Sequence, residues 1–206
     1  MISEFYIILD QLEKPPFDAH IDGVLLDSKK DVIPVIFNRG KILNPQENEV
    51  FFIVADKDYT LEGKFRDKLS VIVNSSNPLF IVSQKLEFLL KEVAPEQVEF
   101  FNIVIQNVQT EITEYKIANI INRIDCIDYE KSDLEFEFYD DEEPCGDILA
   151  TYSLVLKENN LPNNLNIFLL DHYKDTIIVI HERLKRQIEI HNITGLVFCN
   201  IVDFQL

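Results

Sequence analysis

Three histidines, His172, His181 and His191, crowd the last 35 residues of this chain. Imidazoles so close in sequence could bind a metal or serve as a general base. Their spacing argues against both. Ten residues separate His181 from His191, which on one helix sets the side chains about 80° apart, whereas a ligand pair needs the shared face of an i, i+4 spacing. Ordinary surface or helix-capping positions suit them better. Asp125, Cys126 and Asp128 could form a thiol nucleophile with His172 or His181 as its base. Acidic neighbours raise a thiol pKa and so disfavour the thiolate. On a strand, moreover, Cys126 and Asp128 would face one side and Asp125 the other. A buried structural cysteine is expected, and a small cytosolic hydrolase using Cys126 or a histidine is the alternative function to keep in view. Glu135 and Glu137 could be a carboxylate pair for glycoside cleavage. Two carboxylates on one strand face more often mark a solvated surface, and the chain has no Trp for stacking a sugar. No catalytic residue, metal ligand or cofactor site is expected.

The same acidic segment reads better as a recognition surface. Asp133 to Asp147 holds eight acidic residues and no basic one. Within it Glu135, Glu137, Asp140, Asp141, Glu142 and Glu143 surround Tyr139, which joins charge for steering to an aromatic anchor. The competing role is a solvated loop. As a recognition surface it implies a basic partner.

Composition narrows the classes further. With 206 residues, 24.0 kDa and 47% hydrophobic content, the chain can fill one large core or two small ones. Only 5 glycines are present, which disfavours Gly-rich phosphate loops and nucleotide cradling. Its 36 acidic and 19 basic residues leave a net charge of -17, which repels a phosphate backbone, so nucleic acid is not the expected partner. Cys126, Cys145 and Cys199 are widely spaced and lack a CxxC, so neither a disulfide framework nor a zinc ribbon is written here. The N-terminal run is broken by Glu4 and Asp10 and lacks a basic leader, unlike a signal peptide. No apolar stretch reaches 18 residues, so no membrane partner is expected and the cytoplasm is the expected location.

The elements that must position these residues are mostly strands. Glu4 to Leu9, Ile33 to Phe37 and Glu49 to Ala55 are β-branched and aromatic runs bounded by turn residues. Thr113 to Ile127 is a longer β-prone stretch. Leu134 to Phe138 alternates strictly, so Phe136 should face the core while Glu135 and Glu137 face away. Further strands are expected at Thr151 to Leu156, Ile167 to Leu170 and Thr176 to Ile180.

One pattern occurs twice. Leu79 to Val104 and Ile177 to Val202 align without a gap at an offset of 98, placing Leu86 on Leu184, Phe100 on Phe198, Asn102 on Asn200, Ile103 on Ile201 and Val104 on Val202. Both copies read strand, helix, strand. In the first, Ser83 is an N-cap and Leu86, Leu89, Leu90 and Val93 form a helical face that Pro95 soon ends. In the second, Leu184 and Ile188 keep a narrower stripe and Gly195 is expected to stop the helix. Shared positions carry no reactive side chain, so the repeat reads as scaffold.

Three stretches resemble a family of bacterial immunity proteins, the myxobacterial type that neutralises polymorphic toxins of contact-dependent or type VI secretion. They are IVSQKLEFLLKE closing on VEFFNIVI, the central YKIANIINRIDCIDYEKSDLEF, and NIFLL followed by DTIIVIHERLKR and ITGLVFCNIV. The resemblance begins at Pro78 and covers roughly the last two thirds of the chain. Copy two departs by having His181 where copy one has Ser83, and copy one has Gln97 where copy two has Gly195. The resemblance implies a non-enzymatic protein that binds and inhibits a cognate toxin domain. The expected fold class is α+β: a mostly β mixed sheet with two similar strand-helix-strand units and few helices. A variable β-rich part over 1–76 and an immunity-type α+β part over 77–206 are expected to form one continuous globular domain.

Overall fold

A computed structural model of the chain describes residues 4–10, 21–26, 29, 31, 36–46, 49–55, 66–73, 77–106, 111–137, 147–157, 159, 161–173 and 176–206. Along it run β1 (Phe5–Asp10), β2 (Ile21–Leu26), β3 (Val50–Ala55), β4 (Lys68–Val73), β5 (Asn77–Ser83), α1 (Gln84–Val93), β6 (Val98–Gln106), β7 (Glu111–Ile112) and β8 (Tyr115–Ile120). They are followed by β9 (Arg123–Ile124), β10 (Asp133–Phe136), β11 (Ile148–Ser153), β12 (Ile167–Leu170), β13 (Ile178–His181), α2 (Glu182–Ile190), β14 (Leu196–Asn200) and a 3-10 turn, Ile201–Asp203. The chain is α+β as expected, mostly strand with two helices among the described residues. None of those helices is long and apolar enough to cross a membrane.

Strands β3, β2, β4, β5, β8 and β6 hydrogen-bond in that order, and β3 also pairs with β6, so the ring closes. Closure removes the open edges of the sheet. Inward residues of each strand fill the barrel: Leu25, Ile53, Ile81, Ile105 and Ile117 are wholly inaccessible to solvent. Phe37, Phe51 and Phe101 meet edge-to-face inside it, with centroids 5.1 to 5.9 Å apart. Ile36 and Phe37 are not in a strand. Asn38, at φ +54, turns the chain there, and its backbone N–H donates to Asn119 Oδ1 at 2.7 Å. The rest of that expected strand, 33–35, lies outside the described residues.

The second sheet runs β14-β1-β13-β12-β9. One face, with Phe5, Ile7, Phe168, Leu170 and Val179, packs beneath the hairpin of β10 and β11. The other, with Ile167, Leu169, Ile178 and Ile180, packs under the helices. The β-prone stretch 113–127 is divided between β8 in the barrel, β9 in this sheet and a single bridge from Ile127 to Leu156.

The two repeat copies fold alike. In the first, β5 and β6 each pair antiparallel with β8, which lies between them. In the second, β13 and β14 each pair antiparallel with β1. Both are therefore parallel strand-helix-strand units split by one antiparallel strand. Even the registers agree. Ser83 faces Tyr115 and His181 faces Phe5, while Phe100 faces Ala118 and Phe198 faces Ile8. The middle strand is thus displaced by the same 110 residues throughout (115 against 5, 118 against 8). The first unit takes its middle strand from the chain that follows it, the second from residues 5–10.

Capping explains why both helices start where they do. Ser83 Oγ accepts from the Leu86 N–H at 3.3 Å, and His181 Nδ1 accepts from the Arg183 N–H at 3.1 Å. Leu86 and Leu184, at equivalent positions, are both fully buried. Gly195 does not stop the second helix. α2 ends at Ile190, His191 caps it, and Asn192 takes the positive φ of +49. The helix ends there because an asparagine tolerates the left-handed conformation immediately after the cap.

Gly195 serves a different purpose. At φ +89 it brings the chain so close to β4 that a Cβ would stand 2.3 Å from the Lys68 carbonyl oxygen. The Lys68 N–H donates to Thr194 O at 3.0 Å, and the Asp67 carboxylate accepts from the Thr194 N–H at 2.9 Å and from Ser83 Oγ at 2.8 Å. The second unit is thereby fastened to the barrel. Gln97, the equivalent residue of the first unit, fastens the barrel to the second sheet. Its Oε1 accepts from the N–H groups of Asn166 (2.8 Å) and Ile167 (3.1 Å), and its Nε2 donates to Asn164 O (3.0 Å).

Gly195→Ala combines a disfavoured φ with a backbone clash and is expected to cost about 2 kcal/mol or more. Gln97→Ala leaves the buried Ile167 N–H and the part-buried Asn166 N–H without this acceptor, at about 1–3 kcal/mol for the buried group. Urea titration should show both midpoints falling with the slope unchanged; midpoints equal to that of the unsubstituted protein would show that neither brace holds the units together.

Candidate functional site

The hairpin of β10 and β11 carries the described part of the acidic segment. As the alternation predicts, Leu134 and Phe136 pack toward the core while Glu135 is exposed. Glu137, expected to face away with Glu135, is half-buried instead, with its Oε2 shut off from solvent because it lies past the end of the strand; its N–H donates to Asp147 O at 2.9 Å, closing the neck of the hairpin loop. Tyr139, Asp140, Asp141, Glu142 and Glu143 belong to that loop in sequence and lie outside the described residues.

β11 departs from simple alternation. Its pairing with β10 skips one residue between Asp133 and Leu134 and another between Glu135 and Phe136, so Tyr152 and Leu149 are the extra residues of two bulges. Burial along β11 consequently repeats every three residues, with Ile148 and Thr151 inward. Leu149 is 46% and Tyr152 55% exposed. The Tyr152 hydroxyl donates to Glu135 Oε2 at 3.1 Å, and this hydrogen bond is the main reason the phenol pKa is raised. Inward, Thr151 Oγ1 and the Tyr173 hydroxyl lie 2.7 Å apart and hold β11 to the core.

A polar cluster anchors the root of this hairpin. Asp125 accepts from the Tyr129 hydroxyl at 3.1 Å and lies 3.5 Å from His172 Nε2. Burial and then the Asp125 charge push the Tyr129 phenol well above its usual range. The Tyr129 ring leans on Phe136 at 6.2 Å, and the His172 carbonyl accepts from the Ile148 N–H at 2.7 Å. His172 holds a left-handed φ of +65, with its N–H on the Asp171 carboxylate, which Arg123 Nε also contacts at 2.8 Å. Each group of the cluster thus orients the strand ends beneath Glu135.

Cys126 is not a nucleophile in waiting. It is fully buried among apolar side chains, and burial, followed by the Asp125 charge, pushes its thiol up to about 12. Asp125 is exposed whereas Cys126, Ile127 and Asp128 are all buried, because the chain leaves β9 after Ile124 and does not continue as a regular strand. Asp128 instead turns the chain, bound to Lys131 at 2.6 Å in a contact that holds its carboxyl pKa down. The histidines do not converge either. His181 caps the start of α2 with its Nε2 3.1 Å from Glu4, and His191 caps the end, its Nδ1 2.9 Å from Gln187 O. Among the described residues no group of three or more His, Cys, Asp and Glu could hold a metal ion.

A cavity of about 210 Å³ opens elsewhere, between the barrel and the second sheet, lined by Lys68, Phe80, Ile8, Leu9, Ile178 and Leu206 among others. Burial lowers the Lys68 amine to about 8. Its lining includes no His, Cys, Asp or Glu side chain among the described residues.

Charge density in the sequence points to Glu135 and Glu137, whereas nothing in the sequence singles out the exposed pair Leu149 and Tyr152. Three residues apart, they would face opposite sides of a regular strand, and nothing in the residue types announces a bulge.

No curated protein matches the chain. Residues 58–203 match the family model described as Immunity protein family (Imm11). That segment starts twenty residues before Pro78, where the sequence resemblance begins, and so includes Asp67 and Lys68 of the brace as well as both repeat units and the acidic hairpin. Since the match spans well over half of the 206 residues, this protein belongs to the Imm11 immunity protein family.

Proposed function

We propose that this protein is a cytoplasmic antitoxin that binds and inhibits, by direct contact, a cognate toxin domain delivered by contact-dependent or type VI secretion. Membership of an immunity protein family carries this reading. The chemistry supports it: the thiol at Cys126 is neutral at physiological pH, and His172, His181 and His191 are occupied in capping and packing. An inhibitor needs no turnover, only a surface complementary to its target.

The acidic hairpin is the proposed contact, comprising Glu135, Glu137, Tyr139, Asp140, Asp141, Glu142 and Glu143. Its target is a basic surface on the toxin. If that toxin acts on nucleic acid, its substrate groove is basic, and a run of carboxylates imitates the phosphate chain it normally holds.

Co-expression with the toxin gene encoded beside this chain should restore growth, and the two proteins should co-purify; neither rescue nor co-purification would sink the antitoxin reading. Within it, exchanging Asp140, Asp141, Glu142 and Glu143 for Asn and Ser should slow association about tenfold at low salt and flatten its salt dependence. An association rate that does not move would take the loop out of the contact.

A further inference from the structure

The bulges in β11 do something that stability does not require. Each adds a residue to one strand and disturbs the ladder, and both extra residues, Leu149 and Tyr152, are large and turned to solvent. Without the bulges one of the two would point into the core. With them, an aliphatic and an aromatic side chain stand on the same open face, three residues apart. The Tyr152 ring is further fixed by its hydroxyl bond to Glu135, so little rotamer freedom remains to be lost on contact.

Among the described residues no ion pair reaches the carboxylates beside this pair. Among the described residues the ion pairs occupy the two helices, the root of the hairpin at Arg123–Asp171 and Asp125–His172, and the turn at Lys131–Asp128, with Glu4–His181 and Asp67–Lys85 elsewhere. None of them engages Asp133, Glu135 or Glu137. An apolar pair flanked by the exposed carboxylates of Asp133 and Glu135 selects against acidic and purely apolar partners alike. It fits a recess rimmed by lysine or arginine.

We infer that Leu149 and Tyr152 are the apolar anchor of the interface with the toxin, seated in a recess on its basic surface while the surrounding carboxylates steer the approach. This rests on the antitoxin reading and adds a division of labour to it. Charge sets how fast the complex forms, and the bulged pair sets how long it lasts.

The test measures association and dissociation rates of the purified full chain with the toxin domain encoded beside it, made catalytically inactive. Leu149→Ser and Tyr152→Ser should each speed dissociation at least tenfold and leave association within about twofold. Tyr152→Phe, which keeps the ring, should stay within about threefold, and Val197→Ser, an exposed residue on β14, should change neither rate. Both positions are exposed, so melting temperatures should hold, and thermal unfolding of each variant checks this. Unchanged dissociation in both serine variants overturns the anchor while the antitoxin reading stands. Failure of the unsubstituted chain to bind overturns the antitoxin reading, and the anchor with it.

Discussion

Two sheets in this protein share a single apolar layer, and the layer consists of the two repeat helices. Leu86, Leu89 and Leu90 of α1 and Leu184 and Ile188 of α2 lie in one buried cluster with Val82 and Ala118 of the barrel and Ile178 and Ile180 of the second sheet. Burying each such side chain is worth about 1.5–3 kcal/mol, so these five alone match the scale of a domain's whole net stability, about 5–15 kcal/mol. A layer shared in this way holds only if both sheets keep their places. The braces at Gln97 and Gly195 meet that need reciprocally: the barrel's unit reaches to β12, and the second sheet's unit reaches to β4. The positions at which the copies differ are the ones that join them.

The ion pairs of the two helices repeat the same theme with the signs exchanged. Glu87 and Lys91 pair at 2.6 Å on α1, and the equivalent positions on α2 are Lys185 and Glu189, paired at 2.9 Å. Each lysine also lies over an aromatic ring of its own unit, Lys91 over Phe100 at 5.2 Å and Lys185 over Phe198 at 6.0 Å. Such pairs add only a few tenths of a kcal/mol each to a helix. Their larger effect is on the distribution of charge: basic residues are spent on the scaffold. In a chain of net charge -17, no ion pair among the described residues reaches Asp133, Glu135 or Glu137 of the hairpin.

Scaffold and proposed contact surface are thus separate in this fold. The hairpin stands on the face of the second sheet opposite the helices, rooted through Tyr129, His172 and the Thr151–Tyr173 contact. Its root is polar and ordered by hydrogen bonds, whereas its open face is acidic with two apolar side chains. Chemistry that looked reactive in isolation, the Asp125–Cys126–Asp128 run and His172, is absorbed into that root.

Much of this was legible in the residues themselves. Hydrophobic spacing marked both helices, Ser83 marked the first cap, and the repeat marked two equivalent units, because these depend on periodicity and on contacts a few residues apart. The acidic stretch was legible for the same reason. Closure of the barrel through β3 and β6, the loan of residues 5–10 to the second unit, the close approach at Gly195 and the outward turn of Leu149 and Tyr152 were not. Each depends on which distant segment lies alongside, and a strand's pattern names its buried face but not its neighbour. Local sequence determined what the units are, whereas long-range pairing decided how they interlock and which side chains stay on the surface.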